Sequence, residues 1–368
     1  MSGTDLRKKK DTTYIVGLKG LACFMIMVGH YLSVYQSAES FSVNFRAIDF
    51  LYNSPVSFFL GGSFWIYLFF AISGFLLSKE NLTTLLDTVI KCVHRFVRLA
   101  LPVLFSYLLV YFLLLIIGSH NAETVGLFEN EWYQHYYQEG YSLMDVIRGP
   151  IDVLLFGRAN LIAPYWVLRD MFFASLIIYI LSYLKNKLYM SDGLYFLIGV
   201  VIMAAVSFKK PIITACLAGT LLGFCERRDA SFFRSATFGL GMILAVLFFY
   251  RTSKEILSTM FFLSVILFLP QITVLNALFK SGFMKFLGRI SWAVYSFHWP
   301  LMCSVGAILL LQISGIKKAY TLAFLTCVIL TVLVSCLYDL SFAKLEKRIA
   351  GWIDQGLMNL KQLLTKAP

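Results

Sequence analysis

The chain has 368 residues, of which 59% are hydrophobic, 16% are aromatic and only 14% are charged. Soluble domains carry about 25% charged residues, so this composition excludes an ordinary soluble protein and predicts one that lies in a lipid bilayer. The formal net charge of +12 is spread over many short segments. That distribution suits basic loops beside anionic lipid, and we predict no nucleic-acid partner.

Apolar segments recur from one end of the chain to the other. A membrane-spanning helix needs about 20 mainly apolar residues. We therefore predict an all-α, polytopic membrane helix bundle with about ten transmembrane helices. The predicted spans cover residues 14–35, 56–78, 99–118, 165–184, 192–208, 211–226, 236–250, 256–278, 290–312 and 319–342.

The basic residues predict the orientation of these spans. With the N-terminus in the cytoplasm, the inner segments hold 21 Lys and Arg residues and the outer segments hold 9. Because cytoplasmic loops are enriched in Lys and Arg, we predict that both termini are cytoplasmic, in a multi-pass protein of the cell membrane. The longest loop, residues 119–163, then lies outside. It is either a plain surface loop or a functional one whose apolar stretch at residues 150–157 dips into a cavity or caps one.

The composition of the C-terminal tail predicts a second, smaller unit. Residues 1–343 are predicted to form the transmembrane domain. In residues 344–368, apolar side chains recur every three to five positions with charged side chains between them. This pattern predicts an amphipathic helix that lies on the cytoplasmic membrane surface as an anchor.

Two ionisable residues fall within the first predicted span. Such groups are costly in a bilayer, so each is a candidate for function. Lys19 and His30 are 11 residues apart, which places them on one face of a helix and about 16 Å apart along its axis. A snorkelling lysine and a structural histidine are the alternatives, but their shared face favours a functional pair.

A second polar face is predicted late in the chain. Ser291, Tyr295 and His298 follow one another at helical spacing, with Pro300 two residues later. The hydroxyl, phenol and imidazole groups suit hydrogen bonding to a polar ligand. Polar contacts between helices are an equally good explanation at this stage.

A basic face precedes the third span. Lys91, Arg95 and Arg98 share it, and they either anchor the helix at the cytoplasmic surface or bind phosphate. Anchoring alone accounts for this pattern, so the sequence favours it.

Adjacent charges mark the outer end of the fourth span. Arg169 and Asp170 come shortly after Trp166. Neighbours on a helix face about 100° apart, so we expect Arg169 and Asp170 not to pair with each other. We expect each to find a partner on another helix or on a ligand.

The chain contains no C-x-x-C pair, no H-E-x-x-H motif and no phosphate-binding loop. We therefore predict no metal site. The seven cysteines are interpreted as small buried hydrophobic residues.

Taken together and in order, several of these segments resemble acyltransferase family 3, whose members are membrane acyltransferases that modify bacterial surface carbohydrates and related acceptors. The resemblance covers nearly the whole chain. It rests on residues 17–30, 69–77, 95–102, 165–168 and 291–300. Three positions depart from the family pattern: Lys19 replaces the usual arginine, Trp292 replaces a more usual tyrosine, and Asp170 is offset from the position of the family's acidic residue.

The resemblance implies an O-acyltransferase with cytoplasmic acyl-CoA, most often acetyl-CoA, as the donor. The acceptor would be a hydroxyl of a surface polysaccharide or glycolipid. His30 and His298 would be catalytic, with His30 as general base or transient acyl carrier. Three residues are expected to bind the CoA phosphates: Lys19, Arg95 and Arg98. Four are expected to contact the acceptor or acyl group: Trp166, Asp170, Ser291 and Tyr295.

Two other functions stay open at this point. A transporter or lipid flippase also places ionisable groups near the membrane midplane, and it would move its substrate without consuming acyl-CoA. A non-catalytic membrane scaffold is the third hypothesis, but it leaves Lys19, His30 and His298 unexplained. The lipid bilayer is a partner under all three, and a homo-oligomer is compatible with each.

Overall fold

The computed structural model describes residues 12–38, 41–54, 57, 59–207, 209–227 and 254–366, and within these ranges it contains helices but no strand. This confirms the predicted all-α helix bundle. The α-helices, numbered in chain order, are α1 Tyr14–Tyr35, α2 Phe41–Asn44, α3 Arg46–Tyr52, α4 Gly62–Leu77, α5 Leu85–Ile117, α6 Glu131–His135, α7 Leu143–Ile151, α8 Trp166–Lys187, α9 Asp192–Ser207, α10 Pro211–Arg227, α11 Lys254–Phe268, α12 Thr273–Phe279, α13 Gly282–Leu301, α14 Ala307–Gln312, α15 Ile316–Leu340 and α16 Phe342–Lys366.

The length and composition of these helices show a multi-pass membrane protein. Five helices of the described ranges are long and apolar enough to cross a membrane, or six if the bent pair Leu257–Gln271 and Thr273–Phe279 forms one span. Helices α4, α9 and α10 occupy predicted spans but have fewer than 18 residues. The predicted span 236–250 and the basic residues 7–10 lie outside the described residues. The count of ten and the cytoplasmic termini therefore stay predictions.

The helix that contains the third predicted span begins at Leu85 rather than at residue 99. Its start is fixed by Thr84, whose hydroxyl oxygen accepts a hydrogen bond from the backbone N–H of Asp87 at 3.1 Å. A threonine followed three residues later by an acidic residue is a favourable start for a helix. The basic face at residues 91–98 is consequently part of a 33-residue helix, α5.

Glycines let α1 approach its two neighbours closely. A Cβ atom added at Gly20 would lie 2.5 Å from the backbone nitrogen of Gly288 in α13, and one at Gly29 would lie 2.3 Å from the nitrogen of Gly62 in α4. Only residues without a side chain allow backbones this near to each other. These two close contacts determine which side of α1 lies against α13 and which side lies against α4.

The C-terminal tail forms the predicted helix, α16, which packs along the first half of α5. The His94 imidazole lies 3.0 Å from a carboxylate oxygen of Asp354, and the Lys361 ammonium lies 2.5 Å from Asp87. Trp352 projects from the helix and is 69% exposed. The helix is thus confirmed, whereas its contact with a membrane surface stays a prediction.

Residues 119–163 form an ordered cap rather than a plain surface loop. The Tyr133 hydroxyl donates to the carbonyl of Met302 at 3.0 Å, and the backbone N–H of His120 donates to the carbonyl of Cys303 at 2.9 Å. Val153 and Leu154, in the predicted apolar stretch, are fully buried. The cap covers the end of the bundle that contains His30, and we call it the cap segment below.

Candidate functional site

The structure brings the two intramembrane histidines into direct contact. His30 lies in the last turns of α1 and His298 near the end of α13, and Nδ1 of His30 is 2.8 Å from Nε2 of His298. The two rings are nearly parallel, with centroids 5.0 Å apart. His298 is completely buried, whereas His30 is only half-buried. His30 is therefore the more accessible member of the pair.

Hydrogen bonding determines which nitrogen of each ring is free to act. Nδ1 of His298 lies 2.9 Å from the backbone carbonyl of Val294, and a carbonyl can only accept, so this nitrogen carries the proton. In the neutral ring, Nε2 of His298 is then an acceptor, and Nδ1 of His30 must donate to it. This leaves Nε2 of His30 with a free lone pair. The arrangement prepares His30 to accept a proton.

A cavity of about 280 Å³ lies between the helices on the same face of α1. On α1, Lys19, Cys23 and Ile26 line it at helical spacing, and His30 is the next residue of this series. The other walls come from α4, α5, α8 and α13. Their lining residues are Ile66, Phe69, Phe70, Ser73, Arg95, Leu99, Val167, Leu168, Met171, Ser291, Trp292 and Tyr295.

Two cations project into this cavity. The Arg95 guanidinium donates to the hydroxyls of Ser175 at 3.0 Å and Ser73 at 3.1 Å. No residue in the described ranges forms a hydrogen bond or an ion pair with Lys19, and no described carboxylate pairs with Arg95. Unpaired cations inside an apolar bundle are costly, so this end of the cavity is chemically suited to an anionic ligand.

The predicted basic face of α5 divides in the structure. Arg95 points into the bundle, whereas Lys91 pairs with Glu80 at 2.9 Å. Arg98 is exposed and does not line the cavity. Of these three cations, only Arg95 is placed beside Lys19.

The predicted polar face of α13 is also divided between two places. Ser291 and Tyr295 line the cavity with Lys19, while His298, one turn further, faces His30. The Ser291 hydroxyl donates to the carbonyl of Gly288 at 2.8 Å, and the Tyr295 hydroxyl donates to the carbonyl of Pro164. The Tyr295 ring lies 6.2 Å from the His298 ring, so it stands between the cavity and the histidine pair.

The expectation that Arg169 and Asp170 do not pair is wrong. Nε of Arg169 lies 3.3 Å from one carboxylate oxygen of Asp170, and Nζ of Lys210 lies 3.2 Å from the other. The long arginine side chain curls back to its neighbour, which the angle between the two Cα–Cβ directions does not reveal. The expectation that Asp170 has a partner outside α8 is confirmed, because Asp170 pairs with Lys210, which directly precedes α10.

Trp166 and Asp170 do not lie in the cavity. Asp170 is buried in its ion pairs, and Trp166 is 44% exposed at the start of α8. Val167 and Leu168, in the first turn of α8, line the cavity instead. A role for Trp166 and Asp170 in substrate binding stays a prediction, and their surroundings show a structural role for the carboxylate.

The sequence did not single out the two tryptophans that surround His30. Trp132, in the cap segment, has its ring centroid 5.6 Å from that of His30, and Trp299 lies 5.9 Å away. The two indoles contact each other at 4.1 Å. Trp299 follows His298 directly, so the motif at residues 291–300 could have identified it. Trp132 lies in a segment without helical periodicity, so no sequence pattern identifies it.

The described residues contain no group of three or more His, Cys, Asp or Glu side chains that could hold a metal ion. The site thus combines a cationic cavity with a histidine base further along the same face of α1.

Comparison with known proteins gives one match. The family model for the acyltransferase domain, acyltransferase family 3, matches residues 12–340. No match was found among the curated proteins or among the solved structures.

Proposed function

From the membership of this chain in acyltransferase family 3, which makes it a membrane acyltransferase, we propose that it moves an acetyl group from acyl-CoA to a hydroxyl group of a surface polysaccharide or glycolipid. One observation carries the proposal. A single face of α1 joins a cavity with unpaired cations, at Lys19, to a histidine with a free nitrogen, at His30. An anionic donor and a proton-accepting base are the two needs of this reaction.

The cavity is proposed as the donor site. Lys19 and Arg95 bind phosphate groups of CoA, and the serines that hold Arg95 orient its guanidinium. Exposed Arg98 lies one turn further along α5 and adds a cation outside the cavity. The acyl-bearing arm of CoA extends along Cys23 and Ile26 toward His30, with Ser291 and Tyr295 on the opposite wall. Entry of acyl-CoA from the cytoplasm requires the Lys19 end to face that side.

The histidine pair is proposed to perform the transfer. Nε2 of His30 takes the proton of the acceptor hydroxyl while its oxygen attacks the thioester carbonyl. The C–S bond then breaks, and the CoA thiolate takes the proton back from His30, so the reaction yields an ester and CoA thiol. Throughout, His298 accepts the Nδ1–H of His30 and stabilises the imidazolium that forms. Attack by Nε2 itself, with an acyl-histidine intermediate, uses the same geometry.

The decisive test is acyl transfer by His30→Ala in membranes with unchanged protein level. We expect a loss of about 100-fold or more, because general-base catalysis is removed. His94→Gln is the matched control, since His94 pairs with Asp354 on α16 outside the cavity. Activity of His30→Ala within a few-fold of wild type contradicts the assignment. Substrate movement into vesicles without acyl-CoA consumption supports the transporter hypothesis instead.

A further inference from the structure

The exposed side of the histidine pair is bordered by an aromatic surface. Trp132 projects from the cap segment, is 45% exposed, and places its ring centroid 5.6 Å from that of His30. Its other contact is the fully buried indole of Trp299. An indole that is held from one side and open on the other offers a flat apolar platform directly beside a base.

A polar cleft of about 720 Å³ lies in the same cap segment, within the size range of ligand pockets. Three tyrosines in its wall are held by hydrogen bonds from their hydroxyls to backbone carbonyls. Tyr136 donates to Ala159, Tyr137 donates to Leu161 at 2.7 Å, and Tyr141 donates to Leu114 at 3.0 Å. Their rings are consequently fixed before any ligand arrives. The Tyr136 ring also contacts Trp299, at 5.6 Å, so the cleft wall and the Trp132 platform pack on the same indole.

The polar groups of the cleft indicate the class of ligand. Gln138, Glu139 and Asn160 are exposed in its wall, and Glu139 forms no hydrogen bond or ion pair with a described residue. Tyr137 adopts φ of 71°, a strained backbone conformation for a bulky residue. Fixed aromatic rings together with amide and carboxylate groups suit a ring that has C–H faces and hydroxyl edges. The carboxylates of Glu139 and Asp145 oppose an acidic ligand.

We propose that this surface is the acceptor site and that it binds a neutral carbohydrate. One sugar ring stacks on Trp132 and presents a hydroxyl to Nε2 of His30, and neighbouring sugar units occupy the tyrosine cleft. This assignment rests on the proposed function, because it supplies the acceptor for the same transfer. It places acceptor binding on the cap segment instead of on Trp166 and Asp170.

The test compares Trp132→Ala with Trp132→Phe in purified protein. The acceptor probes are neutral glucose, galactose and N-acetylglucosamine oligosaccharides, with oligogalacturonate as the acidic comparison. We expect Trp132→Ala to raise KM for the neutral acceptor about tenfold and Trp132→Phe to raise it less, because phenylalanine retains a stacking face. KM for acyl-CoA should not change. Trp352→Ala on α16 is the control, since this tryptophan is exposed and distant from the cap contacts.

A second readout separates acceptor binding from damage to the site. Hydrolysis of acyl-CoA by water needs His30 but no sugar, so we expect Trp132→Ala to retain it while transfer falls. Equal loss of hydrolysis and transfer in Trp132→Ala overturns the proposal, because Trp132 then only supports the histidines. A wild type that consumes acyl-CoA but acylates no neutral oligosaccharide, or prefers oligogalacturonate, also overturns it and leaves the proposed transfer intact. Absence of any acyl-CoA consumption by the wild type contradicts the proposed function itself.

Discussion

The two ends of α1 show contrasting chemistry within one helix. Near Lys19 the side chains are cationic, and the adjacent Arg95 is held by serine hydroxyls. Near His30 they are imidazoles and indoles, held by a backbone carbonyl and by ring contacts. The Lys19 end is suited to a charged group and the His30 end to a neutral, flat one.

This contrast would let a single helix face serve the two substrates of the proposed transfer. A charged ligand that entered the His30 end would meet apolar rings without a counter-charge, which disfavours binding. A neutral sugar at the Lys19 end would leave two cations unpaired. Under the proposed function each end would select its ligand partly by excluding the other, and substitutions at the two ends should affect different kinetic constants.

The largest expected effect is at the histidine end. His298→Ala removes the acceptor for Nδ1–H of His30, so the tautomer with a free Nε2 is no longer favoured. We expect kcat for acyl transfer to fall about 100-fold, equivalent to about 2.7 kcal/mol, with KM for acyl-CoA unchanged. His298→Gln keeps an oxygen acceptor near the same place and should recover part of the loss. A loss as great in His298→Gln as in His298→Ala would mean that His298 does more than orient His30.

The next effect concerns the stability of the bundle at Asp170. Asp170→Asn leaves Arg169 and Lys210 without their shared counter-charge, and we expect the free energy of unfolding to fall by about 2 kcal/mol. This value is below that for fully buried pairs because both cations reach solvent. Thermal unfolding in detergent measures it, with Glu80→Gln as the control for a more exposed ion pair. A raised KM for acceptor, with unchanged stability, would restore Asp170 to the substrate site.

The cationic end should show its effect in KM for the donor. Arg95→Ala removes charge-assisted hydrogen bonds to phosphate, and we expect KM for acyl-CoA to rise about tenfold or more. Arg98→Ala should raise the same constant only about two- to threefold, because Arg98 is exposed and outside the cavity. Neither change should alter KM for acceptor. A larger effect of Arg98→Ala than of Arg95→Ala would place the phosphates outside the cavity.

The helices were predictable where apolar runs have polar ends. Residues 14–35, 192–208 and 211–226 were predicted as spans, and the structure has helices at Tyr14–Tyr35, Asp192–Ser207 and Pro211–Arg227. The short helices of the cap segment were not predicted. Helix α6 is aromatic and polar without a helical repeat, and it is stabilised by contacts with α13 and with the turn that follows it. Helix α7 does have apolar residues at helical spacing and a capping box formed by Ser142 and Asp145, and it packs on α5.

The site was predictable only within single helices. Helical periodicity put Lys19 and His30 on one face, and the cavity confirms that Lys19, Cys23 and Ile26 share it. The contact of His30 with His298 joins residues 268 positions apart, and no local pattern contains that information. It depends on the close crossing of α1 and α13 at Gly20 and Gly288. The expectation that Arg169 and Asp170 do not pair failed for another reason, since side-chain length outweighs backbone direction.

The smallest expected effect concerns how firmly the cap segment is held. Nδ1 of His120 lies 2.9 Å from a carboxylate oxygen of Glu123, and this hydrogen bond raises the pKa of His120 above its ordinary value of 6.5. The protonated pair therefore stabilises the cap fully below about pH 6.5, and the stabilisation is lost as pH rises through the raised pKa. Both side chains are partly exposed, so screening keeps the effect below about 1 kcal/mol.

Hydrogen exchange at the backbone amide of His120, which donates to Cys303, reports this change directly. We expect its protection factor to be greater at pH 5.5 than at pH 8, and Glu123→Gln to remove the difference. Residues at the Lys19 end should show no corresponding change. The contrast between the two ends would then extend to their dynamics, because only the His30 end is covered by a segment that pH loosens. The prediction is contradicted if the His120 amide has the same protection factor at pH 5.5 and pH 8 in wild type. It is also contradicted if Glu123→Gln shows the same difference as wild type.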